Sequence, residues 1–375
     1  MQGGPSCWGS GGKTPTSLLF NNTKKQRYIF ATYGDQMIEG NDDIELLIEG
    51  IDDIELYDVT GSGYEIPWKA KKRASLVIAD SLKRLGYTAR ARNMKFCCET
   101  LNYSKNLETY GMRLTKKNLR FCKSFLCPIC QSRRSVANYH RLKNVLNRMK
   151  EIDGKEPTLI FITLTVKNVP KEAFPSAIEN ILKGWKKIER RAKFGQILGS
   201  YRSLEVTISN SNEYHPHLHI LCLVDQDYFK KENTDYIATA ELVKMWQKSI
   251  SADYTPICYM QRVKGDKGVL EVSKYLVKSS DIINNRTPDE IDQIVETLLK
   301  GISGRRLVSF GGRFKQIDQE LRKEQKKAKT DQTDPSDEDL FNLTGNHEKT
   351  NDIVTNEEYR WSWQKMNYIR VNTIR

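Results

Sequence analysis

Tyr214-His215-Pro216-His217-Leu218-His219-Ile220-Leu221-Cys222-Leu223-Val224 carries three of the chain's five histidines and runs straight into an apolar segment. Residues two apart on a strand share a face, so His217 and His219 present their imidazoles side by side, about 6–7 Å apart at the backbone. That spacing suits one metal ion. His215 has the same parity but stands about 13 Å from His219 along an extended chain, and Pro216 cannot donate to a sheet ladder. His217 and His219 are therefore the expected ligand pair, with His215 at the strand's entrance. The plainer alternative is a polar-faced strand whose histidines only form hydrogen bonds.

The preceding text supplies a partner strand. Tyr201 to Ile208 is strand-like, and Ser209-Asn210-Ser211-Asn212-Glu213 is turn text from which the histidine strand returns. A turn centred on Asn212 sets Glu205 opposite His219 and Thr207 opposite His217, on one face. Glu205 is then a third metal ligand. A slip of one residue would turn it away.

Further out, Thr158 to Val166 is β-branched and aromatic and stops before Asn168 and Pro170, which predicts another strand. Residues 172 to 192 predict a helix with Ile178, Ile181, Leu182, Trp185 and Ile188 on one side. Thr239 to Ile250 predicts a helix and Ile257 to Val263 a strand. Gly268 to Ser280 predicts a helix on which Glu271, Tyr275 and Lys278 share a face, with Lys274 beside them. The expected class is α+β, with an antiparallel sheet flanked by helices.

A different composition lies upstream. Trp68-Lys69-Ala70-Lys71-Lys72-Arg73 opens a helical pattern through Leu76, Ile78, Ala79, Leu82 and Leu85, with Gly86 as its stop. Cys97 and Cys98 follow, then Cys122, Cys127 and Cys130. Cys127-Pro128-Ile129-Cys130 has the two-residue spacing of a zinc knuckle, and a fourth thiolate from Cys97 or Cys98 closes a structural site. A redox pair is the rival reading. Arg133 and Arg134 then open a basic helix through His140, Arg141, Lys143, Arg148 and Lys150.

The ends are polar. An acidic near-duplication covers residues 38 to 56, where Ile38-Glu39-Gly40-Asn41-Asp42-Asp43-Ile44-Glu45-Leu46 is echoed by residues 48 to 56. Two copies are too few for a solenoid. From about residue 316 the text is charged and broken, which predicts a flexible linker ending in the aromatic run Tyr359-Arg360-Trp361-Ser362-Trp363 that docks on the body or on a partner. Four regions are expected: an acidic extension over 1–64, a helical Cys-rich region over 65–153, an α+β domain over 154–315 and the tail over 316–375.

A formal net charge of +13 over 375 residues makes an acidic polymer the first partner to consider. No run of eighteen apolar residues exists to span a bilayer. Met1-Gln2-Gly3-Gly4-Pro5-Ser6 lacks the basic start and apolar stretch of a secretory signal. The expectation is a cytoplasmic nucleic-acid-binding protein with no membrane partner, its cysteines free or metal-bound.

Four stretches in order resemble the HUH endonucleases, and more closely the Rep proteins that initiate rolling-circle replication of plasmids. They are Phe161-Ile162-Thr163-Leu164-Thr165-Val166, Tyr214-His215-Pro216-His217-Leu218-His219, Lys274-Tyr275-Leu276-Val277-Lys278, and Arg306-Leu307-Val308-Ser309-Phe310-Gly311-Gly312. The upstream cysteines with Arg133-Arg134 also fit the family, in which a cysteine falls four residues before a leucine. Leu101 in that role favours Cys97 over Cys98. The resemblance covers about Trp68 to Phe314, and the acidic repeat lies outside it.

The resemblance implies an HUH-like central antiparallel sheet preceded by a zinc knuckle. It implies a Mg2+ or Mn2+ ion on His217 and His219, with Glu205, and a structural Zn2+ on Cys97, Cys122, Cys127 and Cys130. Tyr275 would attack the scissile phosphate, leaving a 5′-phosphotyrosine and a free 3′-hydroxyl, Glu271 would activate water to end the cycle, and Lys278 would assist. Arg133, Arg134 and Arg141 would grip phosphates of the plasmid origin. A host helicase and DNA polymerase are the implied partners, and a homodimer is one arrangement it allows. A related transposase or relaxase, and a non-enzymatic zinc-containing DNA-binding regulator, are the competing functions.

Overall fold

The computed structural model of the chain describes residues 56–59, 65–106, 112–115, 118–230, 236–263, 267–274, 276–328 and 354–371. In chain order the strands are β1 (Tyr57–Val59), β2 (Glu65–Pro67), β3 (Thr100–Asn106), β4 (Met112–Leu114), β5 (Thr158–Thr165), β6 (Ile197–Ile208), β7 (Tyr214–Val224), β8 (Cys258–Arg262), β9 (Val308–Gly311), β10 (Val354–Ser362) and β11 (Asn367–Arg370). The helices are α1 (Trp68–Arg84), α2 (Thr88–Lys95), α3 (Pro128–Asp153), α4 (Phe174–Glu189), α5 (Thr239–Ile250), α6 (Lys267–Val272), α7 (Ser279–Ile283), α8 (Pro288–Ile302) and α9 (Gly312–Ala328).

The fold is α+β, and its centre is an antiparallel sheet in the order β8-β5-β7-β6-β9. Alternation along each strand divides the side chains between two faces. Ile160, Ile162, Leu164, Leu218, Ile220 and Cys222 meet Ile178, Ile181 and Trp185 of α4, Leu242 and Trp246 of α5, and Ile294 and Leu298 of α8. Leu159, Phe161, Tyr201, Leu221 and Leu223 point the other way, onto Leu142 and Val145 of α3, Val272 of α6 and Phe314 of α9. The second face carries His217 and His219 by the same parity, near the start of β7.

β7 is a central strand that nevertheless contains Pro216. The ladder to β5 ends at Thr165 and His217, so Pro216 falls where no β5 acceptor faces it. On the other side, Val206, the partner of Pro216, donates its N–H to the carbonyl of Leu276 at 2.7 Å.

Two expectations change. The helix expected over Gly268 to Ser280 is two short ones, with α6 ending at Val272 and α7 starting at Ser279. Between them the Leu276 carbonyl is taken by Val206 and the Val277 N–H by Gln131 Oε1 at 3.3 Å, so tertiary partners replace the helical ladder. Glu271 and Lys278 therefore do not share a helix face. The charged text from 316 to 328 is likewise no linker but most of α9, which buries Phe314 and Ile317 against the sheet.

A second sheet, in the order β11-β10-β3-β4, joins distant parts of the sequence. β10 pairs antiparallel with β3 from Val354 opposite Asn106 to Arg360 opposite Thr100. The aromatic run does dock on the body: Tyr359, Trp361 and Tyr368 are buried, and the Tyr368 hydroxyl donates to the Cys98 carbonyl at 2.5 Å. The acidic repeat lies outside the described residues except for Leu56, which is buried and accepts a hydrogen bond from the Trp68 N–H.

Candidate metal centres

The hairpin register pairs Glu205 with His217, Thr207 with His215 and Ser203 with His219. The expected pairing of Glu205 with His219 is thus displaced by two residues, because the turn is centred on Ser211, with Ile208 opposite Tyr214. A displacement of two preserves the face, and Glu205 still meets both histidines. Its Oε2 lies 2.9 Å from His219 Nε2 and 3.5 Å from His217 Nε2. Cis ligands of an octahedral ion at about 2.1 Å stand about 3.0 Å apart, so the three donors fit one divalent cation.

The ring nitrogens away from Glu205 are anchored. His217 Nδ1 lies 3.2 Å from the His215 carbonyl, and His219 Nδ1 lies 3.3 Å from Thr163 Oγ1, with the His219 ring stacked on Phe161. Such outer contacts orient both rings so that each Nε2 faces Glu205. Burial raises the Glu205 carboxyl, but hydrogen bonds from His217 and His219 outweigh it and hold the group well below the usual carboxylate range. His215 makes no part of the cluster. Thr163 was missed from the sequence; its signal was the strand parity it shares with Thr165 and Phe161.

Cys97, Cys122, Cys127 and Cys130 form the second cluster, all four sulfurs within 4.8 Å of one another. Cys97 and Cys122 each lie 3.6 Å from Cys130, and Cys127 lies 3.8 Å from Cys97. A tetrahedral zinc with bonds of about 2.3 Å spaces its sulfurs about 3.8 Å apart, whereas a disulfide needs about 2.05 Å. Cys98 turns away: it is left-handed at φ 47°, and its N–H donates to the Arg120 carbonyl. Cys127 caps α3 with Pro128 in the first turn, a position where a missing N–H costs nothing. Burial pushes its thiol up.

Lys72 backs this cluster and was also missed. Its buried ammonium donates at 2.7 Å to the carbonyls of both Lys95 and Cys97, holding the turn that delivers Cys97.

Tyr275 lies outside the described residues. Leu276, its neighbour in sequence, is bonded to Val206, one residue from the ligand Glu205. Glu271, in the last turn of α6, pairs with Lys274 at 2.5 Å, while exposed Lys278 caps α7 and lines a cavity of about 160 Å³ with Lys71 and Gln131.

The three arginines expected on DNA each have partners within the protein. Arg133 is 2 % exposed and stands over the Phe121 ring. Arg134 donates to the carbonyls of Lys123 and Ser124. Arg141 forms a forked pair with Asp318 of α9, with Nη2 2.6 Å from Oδ2. Their helix is packed on the sheet and on α9, which turns Arg133 inward and leaves Arg134 and Arg141 half-exposed. Arg133→Ala is expected to lower stability by about 2 kcal/mol or more, the scale of a lost buried polar partner and packed stem. A lowered denaturant midpoint with an unchanged salt slope of DNA binding is the expected pair of readings.

The Arg306-to-Gly312 stretch is a sheet edge. Ser309 accepts from buried Arg202 at 3.2 Å, Phe310 packs edge-on against Tyr201, and a Cβ on Gly312, at φ +52°, would lie 2.4 Å from the Leu198 carbonyl oxygen. That motif is accounted for by packing.

Among the described residues no helix is long and apolar enough to cross a membrane. No solved structure gives a significant match. The replication protein family matches residues 113–369. A protein from Lentilactobacillus hilgardii named Protein rep is 32% identical over 323 residues, covering 84% of this chain and 98% of that one. Another of that name from Bacillus amyloliquefaciens is 33% identical over 295 residues, 71% of this chain and 85% of its own. A third, from Lactiplantibacillus plantarum, is 33% identical over 328 residues, 83% and 97%. With the family model spanning 113–369, a range that holds the histidine cluster and three of the four clustered cysteines, and with relatives above 30% identity along most of its length, the chain belongs to the Rep family of replication proteins.

Proposed function

We propose that the protein initiates rolling-circle replication of a plasmid by nicking one strand of the origin through tyrosine transesterification. The observation that supports this best is the convergence of Glu205, His217 and His219 on one face of the sheet, with the backbone of Leu276 bonded one residue from Glu205. A divalent cation bound there, Mg2+ or Mn2+, supplies Lewis-acid polarisation of the scissile phosphate. Glu205 contributes a fixed negative charge, and Thr163 and the His215 carbonyl keep both Nε2 atoms aimed at the same point.

Tyr275 provides the nucleophile. Its phenolic oxygen bonds to phosphorus as the bond to the 3′ oxygen breaks, the phenolic proton is lost and the 3′ oxygen takes one up. The products are a 5′-phosphotyrosine and a 3′-hydroxyl from which a polymerase extends. The linkage keeps its phosphodiester energy, so the reverse reaction rejoins the strand. Glu271 activates water for the terminating hydrolysis, and Lys278 steadies a phosphate. A zinc ion on the four cysteines is structural. Strand separation falls to a host helicase, and the reaction takes place in the cytoplasm on plasmid DNA.

The test is direct. A labelled single-stranded origin oligonucleotide incubated with the protein and Mn2+ is expected to give a covalent adduct that chelator prevents and that is lost in His219→Ala. An adduct insensitive to chelator, or none with any origin strand, overturns the reading.

A further inference from the structure

The strand beside the histidine site carries an unusual outer edge. β8 borders the central sheet, and its pairing with β5 places Tyr259 opposite Thr163, which is itself opposite His219. Directly paired residues project to the same face. Tyr259, Thr163 and His219 therefore form one row across three strands, with Tyr259 two strand spacings, about 10 Å, from His219. The alternate residue Cys258 is buried on the opposite face, which fixes the direction independently.

Edge strands ordinarily show charge or proline to solvent. Here Tyr259 is 54 % exposed and Ile257, on the same face two residues earlier, is 76 % exposed. Thr165 holds Ile257 in place, with N–H and hydroxyl both donating to its carbonyl. Two residues past the end of β5, exposed Lys167 lies over the Tyr254 ring, 5.1 Å from its centroid, and its N–H donates to the Tyr254 hydroxyl at 3.0 Å. A flat exposed ring, an apolar neighbour and a fixed cation, continuous with a metal site, match the chemistry of unpaired nucleotides, in which bases stack on aromatic faces and phosphates meet lysine.

We propose that Tyr259 is the stacking platform for a base of single-stranded DNA lying across the histidine site, with Lys167 facing its backbone. The occupant is a single strand rather than a duplex, because stacking on an exposed ring requires an unpaired base. The proposal rests on reading the site as DNA-processing and adds a positioning residue to it.

The test uses the full chain and a mixed-sequence single-stranded oligonucleotide containing 2-aminopurine, beside the duplex of the same sequence. Tyr259→Ala is expected to weaken single-strand binding about 5- to 150-fold, while Tyr259→Phe stays within about twofold of the unchanged protein. Quenching of the fluorescent base should persist in Tyr259→Phe and fall in Tyr259→Ala, with duplex affinity and thermal midpoint unmoved in both. Single-strand affinity within about twofold in Tyr259→Ala, or an equal loss in Tyr259→Phe, overturns the proposal. Covalent adduct is scored separately: binding and quenching without adduct leave the platform standing and remove the cleavage mechanism.

Discussion

Replacing Tyr275 with phenylalanine is expected to abolish the covalent DNA adduct and to lower nicking by about 10⁴-fold or more, the scale on which losing a covalent nucleophile acts. The substitution removes one oxygen and keeps the ring, so packing and charge change little. Binding of the single-stranded oligonucleotide should fall far less than nicking, since losing one hydroxyl costs about 1 kcal/mol at most points of contact. Nicking and affinity therefore separate in this variant. In His219→Ala adduct formation should also fail, but there added Mn2+ should no longer shift the thermal midpoint, whereas Tyr275→Phe keeps that shift. Adduct surviving in Tyr275→Phe would assign the attack to another group.

The second large effect concerns the cysteines. Cys127→Ser is expected to lose stoichiometric zinc and to unfold the module built from α1, the start of α3 and the β3–β10 sheet. Structural zinc sites contribute on the order of 10 kcal/mol to folding, comparable with the whole stability of a domain. Cys127 is fully buried and starts α3, so its loss also frees the entry of that helix. Metal content by atomic absorption and near-ultraviolet dichroism of the buried Trp361 and Tyr368 read the two consequences together. Cys98→Ser, outside the cluster, should keep its metal. A folded, zinc-free Cys127→Ser protein would make these thiols a packing feature.

How much of this was legible in the sequence follows from which forces were local. Strands β5 and β7 and helices α4 and α5 were readable because their apolar residues recur at the period of the element, and those faces are buried. The face of Glu205 was readable although its partner was misjudged, since a hairpin centre misplaced by one residue moves pairing by two and leaves parity intact. The break after Val272 was not readable. It depends on Val206 and Gln131 taking backbone groups from Leu276 and Val277, which are far away in sequence. Nor was the fate of Arg133 readable: a basic side chain reads as solvent-facing until the packing of its helix is known. Spacing alone left Cys97 and Cys98 equal, and the left-handed turn at Cys98 separates them.

The sheet that joins β3 to β10 also sets an order of events during synthesis. Cys98 and the hydroxyl of Tyr368 that binds its carbonyl are 270 residues apart. At about 5–20 residues per second a ribosome needs roughly 13–54 s to travel that distance. For that interval β3 has no β10 to cover its edge, and Trp361 and Tyr368 have not been made. The four cysteines can gather metal early, but their module closes only after the central sheet has emerged. A chain cut short between Ala328 and Val354 carries the histidine cluster and Tyr275 yet lacks the strand that seals the zinc module, so such truncated products should be cleared by proteolysis before they meet DNA.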